Sequence, residues 1–427
     1  MQVRNIACVY GTIAAAMNLH QTALEIVADA IGAVKPDAAV RRALAAATFD
    51  PDGQVLLVAA GKAAWRMAAT ASDVLGDRLG RGIVVTKYGH VEHPLPRIAC
   101  HEAGHPVPDD NSFRATEAAL DFVKGLSPRD TVVFLLSGGG SALFEAPLVS
   151  GDELADVTRQ LLACGADIVE INTIRKRLSR VKGGRFAAAC APARIFQIVL
   201  SDVLGDPLDM IASGPAAADT STCAQAKAVV AKYGLTFPPA VLDCLTQETP
   251  RAVANVETVI AGSVRELCDA AAAACKARGF APEILDTAVA DEARAAGRRL
   301  AEIVRAHAAD GTRRAFIMGG ETVVKLVGRG KGGRNQEFAL AAAPILDGVS
   351  NVALVSVGSD GTDGPTDAAG GYVDGNTAAM LRAKELSAEN ALAENDSYPT
   401  LAAVDGLVIT GPTGTNVNDV AIGLVDA

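Results

Sequence analysis

Between Gly319 and Asp374 the chain carries twelve of its 41 glycines and breaks twice into charged loops, GGETVVKLVGRGKGGRNQEFAL and VALVSVGSDGTDGPTDAAGG. Glycine loops let bare backbone N–H groups close on an anion. Asp360, Asp363 and Asp367 repel a phosphate unless a cation lies between, so the combination points to a metal and a phosphate ester.

Other candidates follow apolar runs that read as strands, where open α/β sheets gather their ligands. Gly61 and Lys62 end QVLLVAAG and open a helical pattern, which would set the lysine over a helix N-terminus. LLSGGGSAL places Ser137, Gly138, Gly139, Gly140 and Ser141 between a strand and a helix, the make-up of an anion nest, with a tight turn as the plainer reading. INTIRKRLSRVKGGRFA packs six cations into eleven residues; Arg175 or Lys176 is expected to line a cleft and the rest to be solvated. Asp202 stands just past an apolar strand, where a carboxylate acts in a site or caps a helix.

The elements that must position these groups alternate short apolar runs with longer helical patterns. QVLLVAAG, GIVVTK, RIACHEAG, DTVVFLLSGGG and RIFQIVLSDV read as strands with helices between, hence a mainly parallel sheet covered on both faces. The polar stretch 246–257 is the expected linker, dividing a first domain, 1–250, from a second, 251–427, that opens with VETVIAG. In the second, ETVVKLVG follows RRAFIMGG so closely that a hairpin is expected. TGPTGTNVNDV reads as a hairpin connection between LVIT and VAIGLV, with Thr413, Thr415 and Asn416 bonding their own backbones.

A net charge of −10 argues against nucleic-acid binding, which needs a broad cationic face. Eight cysteines without a CxxC pair read as reduced core thiols of a cytoplasmic protein. No run approaches a membrane span, and residues 1–18 read as an extension, with Met17 as an alternative start. Small-molecule substrates are therefore the expected partners, and self-association is left open.

GKAA at 61, LLSGGGSAL at 135, INTIRKRLS with KGG at 171, SDVLGD with IASGP at 201, GGRNQE at 332, DGTDGPTDAAGG at 360 and TGPTGTNVNDV at 410 resemble, in the same order, the MOFRL-type glycerate 2-kinases, a group also labelled hydroxypyruvate reductase. The resemblance covers residues 19–425. It implies α/β architecture: two three-layer domains, an N-terminal Rossmann-like parallel sheet and a C-terminal mixed-sheet MOFRL domain, with the site in the groove between. The reaction implied is transfer of the ATP γ-phosphoryl group to D-glycerate, giving 2-phosphoglycerate and ADP. The family's functional residues fall on Lys62, Asp202, Arg334 and Asp360.

Phosphoryl transfer needs cations and geometry more than covalent chemistry. Lys62 and Arg334 supply charge, and Mg²⁺ or another divalent cation is expected on Asp360 with Asp363. Asp202 is a base for the C2 hydroxyl or a second metal holder. The SGGGS loop, Arg175 and Lys176 suit the glycerate; Gly330, Gly332, Gly333, Asn335, Thr413 and Asn416 suit the nucleotide. Gly328, Gly330 and Gly333 also spell GxGxxG, which makes an NAD(P)-dependent hydroxypyruvate reductase the alternative. HEAGH matches a zinc-protease pattern, but Gly104, Pro106 and Pro108 deny it a helix, so His101 and His105 read as loop residues. Glu337, on a helix face, is expected to be solvated, and Glu321 is a marginal ligand.

Overall fold

The computed structural model describes residues 18–201, 203 and 205–427. Its first sheet contains β1 (Val55–Ala60), β2 (Leu79–Lys87), β3 (Ile98–Ala103), β4 (Thr131–Leu136), β5 (Arg194–Leu200) and β6 (Val256–Gly262), all parallel, in the order β3-β2-β1-β4-β5-β6. β1 and β4 are buried at every residue, as continuous apolar runs must be when helices cover both faces. The chain winds outward in one direction from β1 and in the other from β4. The crevice at their carboxyl ends is therefore the topological switch point, where such sheets bind ligands.

The second sheet is mixed: β7 (Ala281–Val289), β8 (Arg314–Gly320), β9 (Val352–Gly358), β10 (Gly370–Asp374), β11 (Leu407–Val408) and β12 (Asp419–Val425), in the order β11-β10-β9-β12-β8-β7. Only β7 and β8 run parallel; β12 lies between β8 and β9, antiparallel to both. Helices Ala293–His307 and Arg334–Leu346 pack on one face, and Val264–Ala277 on the other.

Three sequence expectations are corrected. β6 does not open the second unit; it pairs with β5 and completes the first sheet, so the polar stretch before it is a surface connection within that sheet. The segment after β8 forms no hairpin: Val323 makes one isolated bridge to Glu292, and Val323, Leu326 and Val327 stand exposed. β11 and β12 are separated by two strands, so residues 409–418 are a crossing loop and not a hairpin turn. Helix Leu19–Ala33 packs with the second sheet through Ile26, Val27 and Ile31.

No helix among the described residues is long and apolar enough to cross a membrane. The described cysteines are free thiols.

Candidate active site

Lys62 leaves β1 at the switch point and Ser137 leaves β4 beside it. The Lys62 N–H donates to the Gly138 carbonyl at 2.9 Å, and the Ala63 N–H to Ser137 Oγ at 3.0 Å, so the lysine and the SGGGS loop are tied by their backbones. Gly139 takes the left-handed conformation at φ +86°, which favours glycine. A Cβ there would lie 3.1 Å from Lys62 Cγ and 3.0 Å from His105 Cδ2 and Nε2, so the lysine stem and the imidazole edge flank this glycine. Beyond it, Ser141 Oγ lies 3.4 Å from Ser213 Oγ, which donates to Asn172 Oδ1 at 2.8 Å.

The second half reaches the same place. A cleft of about 440 Å³ is lined by Lys62, Trp65, His90, Ser137 and Gly138 from the first half and by Asp360, Thr415 and Asn416 from the second. The loop carrying Asp360 is braced locally: Asp360 Oδ1 accepts from the Thr362 N–H at 2.9 Å, and Thr413 N–H donates to the Asp360 carbonyl at 3.2 Å. Thr413 thus supports the loop from behind, while Asn416 faces the cleft.

Arg334 stands outside that lining. Its guanidinium forks onto Asp419, Nε to Oδ2 at 2.6 Å and Nη2 to Oδ1 at 3.0 Å, and Nη1 meets Glu321 at 3.4 Å. Burial opposes the Arg334 charge, but the Asp419 pair outweighs it and holds the pKa above the ordinary range. A Cβ at Gly358 would lie 3.4 Å from both Asp360 Oδ1 and Asp419 Oδ1, so the Asp360 and Asp419 carboxylates flank one glycine and the Arg334 cluster adjoins the cleft.

Asp363, expected to bind metal, has another task. Its two oxygens accept from the backbone N–H groups of Asn335 at 3.1 Å and Gln336 at 2.9 Å, capping helix Arg334–Leu346 from a distance. Burial pushes its pKa up to about 6. Asn335 is buried beneath it, accepting from Ser356 Oγ at 2.6 Å.

The glycines expected to hold nucleotide are needed for close packing: a Cβ at Gly330 would strike Asp396, at Gly332 Ser397, and at Gly333 Asp363. With Asp363 already at the helix N-terminus, the place where a dinucleotide pyrophosphate would sit holds a carboxylate.

Lys176 is 2% exposed and bonds Asp209 and Asp219, each at 3.1 Å, so it is a structural ion pair and not a cleft residue. Arg177 is buried beside it with Ser221 and Glu248. Arg175, one residue away, is partly buried, and its Nε is enclosed without a hydrogen-bond partner. Asp202 lies outside the described residues. Glu337, expected to be solvated, is buried against Arg294 and Asn395.

His105 lies in a loop, as expected, and its ring borders the SGGGS loop at Gly139. His101 belongs to β3, so HEAGH is a strand and turn. The signal that could have found His105 is its place two residues past the carboxyl end of β3.

Two α/β sheets thus bring Lys62, the SGGGS loop and Asp360 to the lining of one cleft, the architecture of an α/β protein with its ligand space between the sheets' loops. Residues 22–246 match a domain of unknown function, DUF4147, and residues 314–419 match the MOFRL family. The chain is 51% identical to the D-glycerate 2-kinase of Thermotoga maritima over 96% of this chain and 99% of that one. The crystal structure of the glycerate kinase from Thermotoga maritima superposes with a TM-score of 0.90 at 50% identity, covering 95% of this chain and 99% of the other. A second crystal structure, of a Pyrococcus horikoshii protein, gives a TM-score of 0.92 at 38% identity, with 96% and 99% covered. The chain belongs to the MOFRL-type glycerate kinase family.

Proposed function

We propose that this protein is a glycerate 2-kinase that moves the γ-phosphoryl group of ATP to the C2 hydroxyl of D-glycerate. The hydroxyl oxygen bonds to the γ-phosphorus, the bond from phosphorus to the β,γ-bridging oxygen breaks, ADP leaves, and the hydroxyl proton passes to a base. The observation that carries the reading is the cleft itself, where Lys62 and the Ser137–Gly138 backbone from one half meet Asp360 from the other.

Lys62 supplies positive charge to the phosphoryl oxygens, which carry most of the transition-state charge. Nest amides orient the hydroxy acid. Arg334 is held in place by Asp419; its contact with half-exposed Glu321 is the looser one, so Nη1 is the donor a phosphate oxygen would take over. Asp202, on its SDV motif, would take the hydroxyl proton or hold a second metal ion.

Mg²⁺ fits the residues present. Asp360 is partly exposed, and its Oδ1 bonds only a local amide, so this carboxylate can share a hard cation with phosphate oxygens, as Mg²⁺ prefers to a closed protein cage. When bound it would neutralise charge on the transferring group. Asp363 would steady Asp360 and Arg334 through the helix cap instead of ligating the metal.

The test is purified protein with D-glycerate, ATP and Mg²⁺, and separately with hydroxypyruvate and NADH or NADPH. ADP and 2-phosphoglycerate are expected in the first; nicotinamide oxidation without ADP release would overturn the reading.

A further inference from the structure

Arg175 ends helix Ile168–Arg175 and is partly buried, yet among the described residues none accepts a hydrogen bond from its side chain, and its Nε is enclosed without a partner. An enclosed guanidinium nitrogen is ordinarily paired, because a donor withdrawn from water is costly to leave unmatched; the outer nitrogens of this fork are not enclosed and remain open to a ligand. Its neighbours explain themselves without it. Lys176 is matched by Asp209 and Asp219, and Arg177 by Glu248 and Ser221. The Glu145 carboxylate attracts Arg175 but gives Oε2 to fully buried Lys182, and its Oε1 meets no donor. Glu145 and Lys182 neutralise one another, so the Arg175 charge is in excess.

Its position gives that charge a use. Asn172, three residues earlier and so on the same helix face, accepts from Ser213, whose hydroxyl faces Ser141 at the end of the nest. The neighbouring residue, Gly140, would meet Ala212 at 2.7 Å if it carried a Cβ. The glycine loop therefore has Lys62 against one side and the 212–213 turn, leading to Asn172 and Arg175, against the other.

Resting on the phosphoryl-transfer reading above, we propose that Arg175 receives the carboxylate of the acceptor, so that the site selects 2-hydroxy acids over neutral polyols of the same size. A carboxylate suits the guanidinium fork and would place C2 over the nest, toward Lys62.

The experiment compares wild type with Arg175→Lys, Arg175→Gln and Arg175→Met. With ATP and Mg²⁺, Arg175→Gln should raise the KM for D-glycerate about 10- to 100-fold, leaving the KM for ATP unchanged. Arg175→Lys should recover part of the loss. The preference for glycerate over its neutral amide should collapse in the Gln variant. Because the guanidinium is unmatched in the ligand-free protein, Arg175→Met should melt at the wild-type temperature or higher. A lower melting temperature with an unchanged KM for glycerate would mark a structural arginine and overturn the proposal.

Calorimetric titration with D-glycerate alone separates this failure from that of the kinase reading. Wild type that releases ADP while Arg175→Gln binds glycerate as tightly removes only the carboxylate site. Wild type that binds glycerate through Arg175 yet releases no ADP removes only the kinase.

Discussion

Gly139→Ala tests whether the nest positions Lys62. At φ +86° an alanine carries strain of about 1–2 kcal/mol. Its Cβ would also press on Lys62 Cγ at 3.1 Å and the His105 ring at 3.0 Å, so both side chains must yield by a few tenths of an ångström. The Lys62 ammonium lies three bonds beyond Cγ, and the lever enlarges the shift. Since a displacement of about 1 Å at a reacting centre costs about 10²-fold, kcat should fall roughly 10- to 100-fold. Gly125 is the matched control: it has φ +73°, and an added Cβ meets nothing within 4 Å. Gly125→Ala should lose the same 1–2 kcal/mol or so with its turnover intact. Urea unfolding read beside steady-state kinetics separates the two quantities. If Gly139→Ala keeps wild-type kcat, or if Gly125→Ala loses activity equally, the loop does not position the lysine.

The buried cap at Asp363 makes stability depend on pH. Its folded pKa, about 6, lies above the ordinary 3.8, so the folded state holds the proton more tightly and this group's contribution falls as pH rises from about 4 to about 6. The difference between wild type and Asp363→Asn in unfolding free energy should therefore change by up to about 3 kcal/mol across that window and flatten above it; parallel profiles would refute the assignment. Lys176→Met should cost about 3–5 kcal/mol by leaving Asp219 buried without its lysine, with the KM for glycerate unchanged in the folded enzyme; an increased KM without destabilisation would return Lys176 to the cleft. Asp360→Asn should move the Mg²⁺ dependence of turnover to higher concentration by at least about tenfold, because one ionised ligand is lost; an unmoved midpoint in a metal titration would assign the ion elsewhere.

The first sheet was legible because central parallel strands must be apolar throughout, and VLLVAA and TVVFLL are. Polar residues 246–257 were misread because a surface connection has the same composition whether the next strand starts a new sheet or finishes the old one; only the β5–β6 pairing decides. The VVKLV run alternates like a strand, but a strand exists through its partner, and only Glu292 bridges to Val323. Lys62, Ser137 and Asp360 were found because each follows a strand, a position local pattern encodes. Glu337 was not, since its partner Arg294 lies 43 residues away in the chain.

Arg175 and Lys176 show the limit most sharply. They are chemically alike and adjacent, and the helix turns about 100° from one to the next. That rotation gives Lys176 two aspartates and Arg175 none. A cation already matched inside the fold gains little from a ligand, since binding would only exchange one partner for another. An unmatched one gains the whole interaction, and sequence, which records the charge but not its surroundings, cannot distinguish the two.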